Sequence, residues 1–132
     1  MSADQIVRAL LDSDSELSGI VETRIYSDTR PEKDPLPAVV LSVISDQPDS
    51  PINGGVGREP CTGRIQVSCF SRSAAEVRSV VAKVVGATHK QSGVILGFQV
   101  TAVLQESSGP SSYDEQVGIY MIPVDVIVNY VR

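Results

Sequence analysis

Apolar positions along the chain recur with two different periods, and the switches between them mark the elements. Ile6, Val7, Leu10 and Leu11 fall at i, i+1, i+4 and i+5, one face of a 3.6-residue helix, and predict a helix over 3–11. Asp12-Ser13-Asp14-Ser15 interrupts the stripe, and Ser15 is placed to cap a second short turn carrying Leu17, Ile20 and Val21. Arg24-Ile25-Tyr26 leads into a loop, because Pro31, Pro35 and Pro37 lack the amide that a helix needs. Residues 38–45 are almost continuously apolar (Val39, Val40, Leu41, Val43, Ile44), the pattern of a strand buried on both faces. From 46 to 60, three prolines and three glycines break all periodicity and predict a long loop.

Alternation returns over 62–70, where Ile65, Val67 and Cys69 point one way and Arg64, Gln66 and Ser68 the other. Behind it, Ser73-Ala74-Ala75-Glu76 is a capping box, in which the Ser hydroxyl and the Glu carboxylate each satisfy an orphan backbone N–H. Val77, Val80, Val81 and Val84 form the buried stripe of the helix it opens, and Gly86 is placed as its stop. Valine alone favours a strand, but cap, spacing and stop agree on helix. Residues 94–104 predict a third strand with Leu96, Phe98, Val100, Ala102 and Leu104 on one face. After a polar loop over 105–117, residues 118–131 predict a fourth, with Tyr120, Ile122, Val124, Val126, Val128 and Tyr130 on one face. Pro123 removes one ladder donor, which predicts that this strand lies at an edge there or is bulged.

The order αα-β-β-α-β-β predicts an α+β fold: an antiparallel-rich, mixed four-stranded sheet packed on one face by helices. If the helix after strand two returns along the sheet, strands two and three run parallel through a right-handed crossover. The hairpin loops 46–60 and 105–117 then leave the domain at opposite ends. A chain of 132 residues has room for one domain, 1–132, and its 42% hydrophobic content supports a folded core. With no Trp and two Phe, that core is built from Val, Ile and Leu, which suits a sheet.

Charge and cysteine usage narrow the function classes. A net charge of −5 and a pI near 4.7 argue against a basic nucleic-acid-binding surface, though not against a protein through which DNA passes ungripped. Cys61 and Cys69 lie about 26 Å apart if one extended strand carries both, beyond disulfide reach, and are read as reduced thiols. The N-terminus carries no basic segment followed by an apolar run, and no stretch approaches a membrane span, which predicts a soluble, intracellular product without membrane association.

Candidate chemistry is sparse, and no catalytic, cofactor-binding or metal-ligating residue is assigned. His89 stands alone in Thr88-His89-Lys90-Gln91-Ser92-Gly93 and reads as a surface residue. Asp12-Ser13-Asp14-Ser15-Glu16 begins like a calcium loop, but the sixth and twelfth positions hold Leu17 and Thr23 where Gly and a bidentate Glu are needed. Asn53-Gly54-Gly55-Val56-Gly57 is glycine-rich, yet it leads into Arg58-Glu59-Pro60 and a strand, not into the helix N-terminus that a phosphate cradle requires. An Arg64–Asp125 pair, if the two are neighbours, reads as structural.

Several stretches in succession resemble the tail-completion (tail-terminator) family of long-tailed bacteriophages. A helix pair leads to Arg24-Ile25-Tyr26, then Leu36-Pro37-Ala38-Val39-Val40 opens the first strand. Arg64-Ile65-Gln66-Val67-Ser68-Cys69-Phe70 follows, with an Ala- and Val-rich helix directly behind, and the chain closes with Gly118-Ile119-Tyr120 and Val124-Asp125-Val126-Ile127-Val128. Ala38 stands where the family often has an aromatic, and Ser68 where it often has an acidic residue. The resemblance implies a structural virion protein and not an enzyme. It would form a homo-oligomeric ring, expected to be a hexamer, that ends the tail tube at the neck of the virion and is assembled in the host cytoplasm. Its partners would be the tail-tube protein and the head–tail connector, with DNA passing through the lumen unbound. The alternatives are a head-completion or connector protein of similar size and a stand-alone binding module. Arg58, Glu59, Tyr113, Asp114 and Glu115 are the interface candidates, because they sit on the two long loops.

Overall fold

The computed structural model describes residues 3–29, 35–48 and 59–131. Two helices open the chain. In α1 (Ala3–Ser13), Ala3, Ile6, Val7 and Leu11 are buried, so the expected stripe is the face that meets the sheet. In α2 (Ser15–Val21), Leu17 and Val21 are buried. The cap of α2 is Asp14, not Ser15: its carboxylate accepts from the Leu17 N–H at 2.9 Å. A charged oxygen one residue earlier wins because it also meets the positive end of the helix dipole.

The strands are β1 (Ile25–Ser27), β2 (Ala38–Pro48), β3 (Pro60–Ser71), β4 (Gln91–Ile95), β5 (Phe98–Ser108), β6 (Ser112–Asp114) and β7 (Ile119–Val131). They form one seven-stranded sheet in the order β1-β2-β3-β7-β5-β4, with β6 also on β7. The α+β class and the antiparallel-rich, mixed sheet are as expected; among the described residues only the β1–β2 pairing is parallel. The count of four strands is corrected, because β1, β4 and β6 are too short to carry a period. The order also differs, since the C-terminal β7 enters between β3 and β5 and makes those two parallel without being neighbours.

The third predicted strand is two strands, turned at Leu96-Gly97, where both residues have positive φ (52° and 82°). That is the geometry of a tight two-residue hairpin. Its expected inward face is also corrected. A register shift between Val100 and Ala102 leaves Thr101 as an extra residue, and one inserted residue moves every later side chain to the other face. Val100 and Val103 are therefore buried, while Leu104 is exposed. A similar shift in β2 leaves Ile44 unpaired between Val43 and Ser45, after which Asp46 faces inward.

Helix α3 (Ala74–Thr88) packs on the inner face through Val77, Val80 and Val84. Gly86 is not its stop: the helix runs on to Thr88 and ends at His89. Lys83 of α3 pairs with Glu16 of α2 at 2.8 Å. The three helices and the inward strand residues, among them Ile65, Val67, Cys69, Val124, Val126, Val128 and Tyr130, share one core. Helices thus cover one face, as expected. Pro123 lies in an interior strand, but at a point where a strand neighbours it on one side only, so the expected edge is local. It sits level with the gap between β5 and β6, where its carbonyl accepts from the Gly109 N–H at 2.8 Å, so no ladder bond is missing.

Candidate assembly interface

Two hairpins leave the sheet at opposite ends. Pro48 and Pro60, which flank residues 49–59, lie beside Tyr130 and Val131 at the upper end of β7. Ser108 and Ile119, which flank the second connection, lie at the lower end.

At the upper end the chain is clamped by one carboxylate. Asp46 Oδ2 accepts from the Ala3 N–H at 3.1 Å, and Oδ1 accepts from the Tyr130 hydroxyl at 2.6 Å. A carboxylate on the first turn of α1 meets orphan N–H groups and the positive end of the dipole, so the end of β2, the start of α1 and the end of β7 are tied together. Phe98 packs edge-on against Tyr130, with ring centroids 5.7 Å apart. Glu59 is half-buried there, its carbonyl 3.5 Å from the Cys61 thiol, and Arg58 lies outside the described residues.

At the lower end the predicted loop 105–117 is mostly strand. β5 continues to Ser108, and β6 carries Tyr113 and Asp114. Tyr113 packs on Tyr120 with centroids 4.5 Å apart. The Asp114 side chain accepts from the Gln116 N–H (3.0 Å) and its carbonyl from the Gly118 N–H (2.7 Å), closing a turn that leaves Glu115 exposed. Arg72 donates to the Val117 carbonyl at 3.1 Å. Beside the turn is a hollow of about 230 Å³ lined by Phe70, Ser112, Asp114, Val117, Ile119 and Met121. The structure thus brings Tyr113, Asp114 and Glu115 together and sets Glu59 at the other end.

His89, Arg64 and Asp125, singled out from the sequence, are each engaged in the fold. His89 Nδ1 accepts from the Gln105 N–H at 3.0 Å, so the imidazole holds β5 to the end of α3 and is not a free surface group. Arg64 pairs with Glu106 at 2.6 Å and not with Asp125, which accepts from the Ser107 hydroxyl at 3.2 Å. Burial pushes the Cys69 thiol up to about 12, which removes it as a nucleophile near neutral pH. Among the described residues no group of His, Cys, Asp or Glu side chains is arranged to hold a metal, and no helix is long and apolar enough to cross a membrane.

The family model described as tail completion protein gp17 matches residues 5–128. The chain belongs to that family. A tail completion protein is a structural component of a phage-type tail. A solved chain from the virion of a native gene transfer agent particle shares the fold, with a TM-score of 0.71 at 14% identity over 98% of this chain and 95% of its own. A second solved chain matches at a TM-score of 0.59 and 13% identity, over 98% of this chain and 96% of its own. Comparison with curated protein sequences finds no match.

Reasoning from the sequence did not single out three exposed apolar side chains of this tail completion protein. Val94 is 71% exposed, Leu96 60% and Ile44 53%. Only the Gly97 that follows Leu96 signals a turn there; Ile44 lies on the outward side of the alternation that turns Val39, Leu41 and Val43 inward, and the continuous apolar run hides that alternation.

Proposed function

We propose that this tail completion protein assembles as a ring, of six copies, that ends the tail tube at its head-proximal end and offers a docking surface to the head–tail connector. The chain acts as one domain, 1–132. The observation that carries the reading is the pair of unlike hairpin ends at opposite poles of one sheet. A tube of stacked rings grows head to tail and is open-ended unless a last ring matches the tube on one face and refuses it on the other. Loop 105–117, with Tyr113, Asp114 and Glu115, serves one axial face, and loop 46–60, with Arg58 and Glu59 as contact candidates, serves the other. The virion setting of the gene transfer agent chain with this fold supports a place in a particle. The net charge of −5 suits a lumen that DNA slides through, because a basic wall would retain phosphates.

Removing the protein from its phage tests the reading. Tails of overrun length, or tails without heads, are expected by electron microscopy. Particles of normal tail length would contradict it, and filled heads lacking tails would favour a head-completion role.

A further inference from the structure

Among the described residues the sheet ends in two unlike open edges. On one side β4 is the last strand. On the other, β1 covers only 39–41 of β2, so no strand lies beside 42–48.

Strand β7 serves as a ruler between them. Gln91 is level with Val128 through Val103, and Val94 is level with Val131 through Gln99. Across the sheet, Asp46 is level with Val128 through Gly63, and Pro48 is level with Tyr130 through Cys61. The two open edges therefore overlap in height over 46–48 of β2 and 91–93 of β4, while 42–45 of β2 lie below β4. They also run in the same direction, since β4 and β2 are each two antiparallel steps from β7. A rotation about an axis along the strands then sets one edge beside the opposite edge of the next copy with no rise, and absence of rise is what closes a ring instead of opening a helix.

The flanks are complementary in charge. The β4 side carries exposed Lys90, and Arg78 on the side of α3 turned away from Lys83 and its partner Glu16. The β1–β2 side carries exposed Asp12 and Asp28, while Arg8 there is turned onto the Ile25 carbonyl, and Arg24, turned onto the carbonyls of Pro37 and Ile20, also pairs with Glu22 at 3.1 Å. Strand β4 has no proline or charge to guard its edge, and exposes Val94; β2 exposes Ile44. An edge of that kind is a template for another strand.

We infer that the open edge of β4 in one copy adds, as a parallel strand, to the open edge of β2 in the next, so that the sheets run continuously around the ring. The partner is a second copy of this chain, and the inference rests on the ring reading above. Ser92 and Gln47 are both exposed; Gln47 is level with Asn129, and Ser92 lies between Gln91 and Gly93, which are level with Val128 and Tyr130, so the two serve as reporters. The native Cys61 and Cys69 are buried and do not compete.

The test is cross-linking of the full chain with a short bis-maleimide. Chains carrying both Gln47→Cys and Ser92→Cys are expected to give a ladder ending at the ring. Equal mixtures of the two single variants should stop at dimers, and either single variant alone should stay monomeric. A Val94→Lys change should raise the concentration for half-assembly about tenfold, with Tm unchanged. Native mass spectrometry separates the outcomes. Rings without a ladder would overturn the edge pairing and leave the ring standing. Monomers throughout, even with tube protein, would overturn both. Cross-linking of either single variant to itself would show a like-with-like contact and overturn the pairing. So would capture of tube protein, instead of a second copy, by a photoreactive maleimide on Ser92→Cys.

Discussion

A Cβ built on Gly63 collides with the Cβ of Ala3, at the point where α1 lies on β3, whereas one built on Gly86 in α3 meets nothing within 4 Å. Opposite effects are expected in chemical denaturation. Gly63→Ala forces α1 off the sheet and should cost about 1–3 kcal/mol, and adding Ala3→Gly should recover part of it. Gly86→Ala should gain about 0.5–1 kcal/mol, because alanine loses less backbone freedom in a helix. Cys69 gives a pH dependence with a definite sign. Burial raises its thiol from 9.0 to about 12, so above pH 9 the unfolded chain releases a proton that the folded chain keeps. Its contribution is intact below pH 9 and falls as pH rises toward 12, by at most about 1.4 kcal/mol per pH unit. Cys69→Val should remove that part of the alkaline loss measured by denaturant titration. The inward position of Cys69 is legible from the alternation of 62–70. The role of His89 is not, because its partner Gln105 N–H comes from a strand that the sequence reads as loop.

Elements with a sustained period are the ones the sequence reveals. The stripe of α1, the alternation of β3 and the upper half of β7 stand as read, since each buries one face against the shared core. The capping box of α3 is present with a relay: Ser73 Oγ accepts from the Glu76 N–H, but the Glu76 carboxylate accepts from the Ser71 hydroxyl, and Ser71 Oγ in turn accepts from the Ser73 N–H. That hydroxyl sits at the end of β3, outside the four-residue motif. Short strands and bulges escape pattern reading because one extra residue inverts the alternation without changing composition. The β4–β5 turn carries an expected outcome of its own. Leu96 holds φ 52° at a position that favours asparagine, so Leu96→Asn should raise the unfolding free energy by about 1 kcal/mol in the isolated chain, read from the shift of its denaturation midpoint.

At the scale of the whole molecule, the sequence conveys the layer and not the path. Helices on one face and hairpins at two poles follow from element order, while the insertion of β7 between β3 and β5 depends on pairings that no local pattern encodes. Of the candidate contact residues, Tyr113 and Asp114 lie on β6 and Glu115 on the turn after it, at one pole; reasoning from loops leaves out the open edges, which exist only once the strand order is known. In the proposed assembly those edges meet copies of the chain sideways and the poles meet two different partners up and down. Negative-stain images of the purified full chain, alone and mixed with tail-tube protein, test this most directly. The account predicts closed rings with a central opening, seated at the ends of tubes. Single compact particles at high concentration, with tubes left bare at both ends, would contradict it.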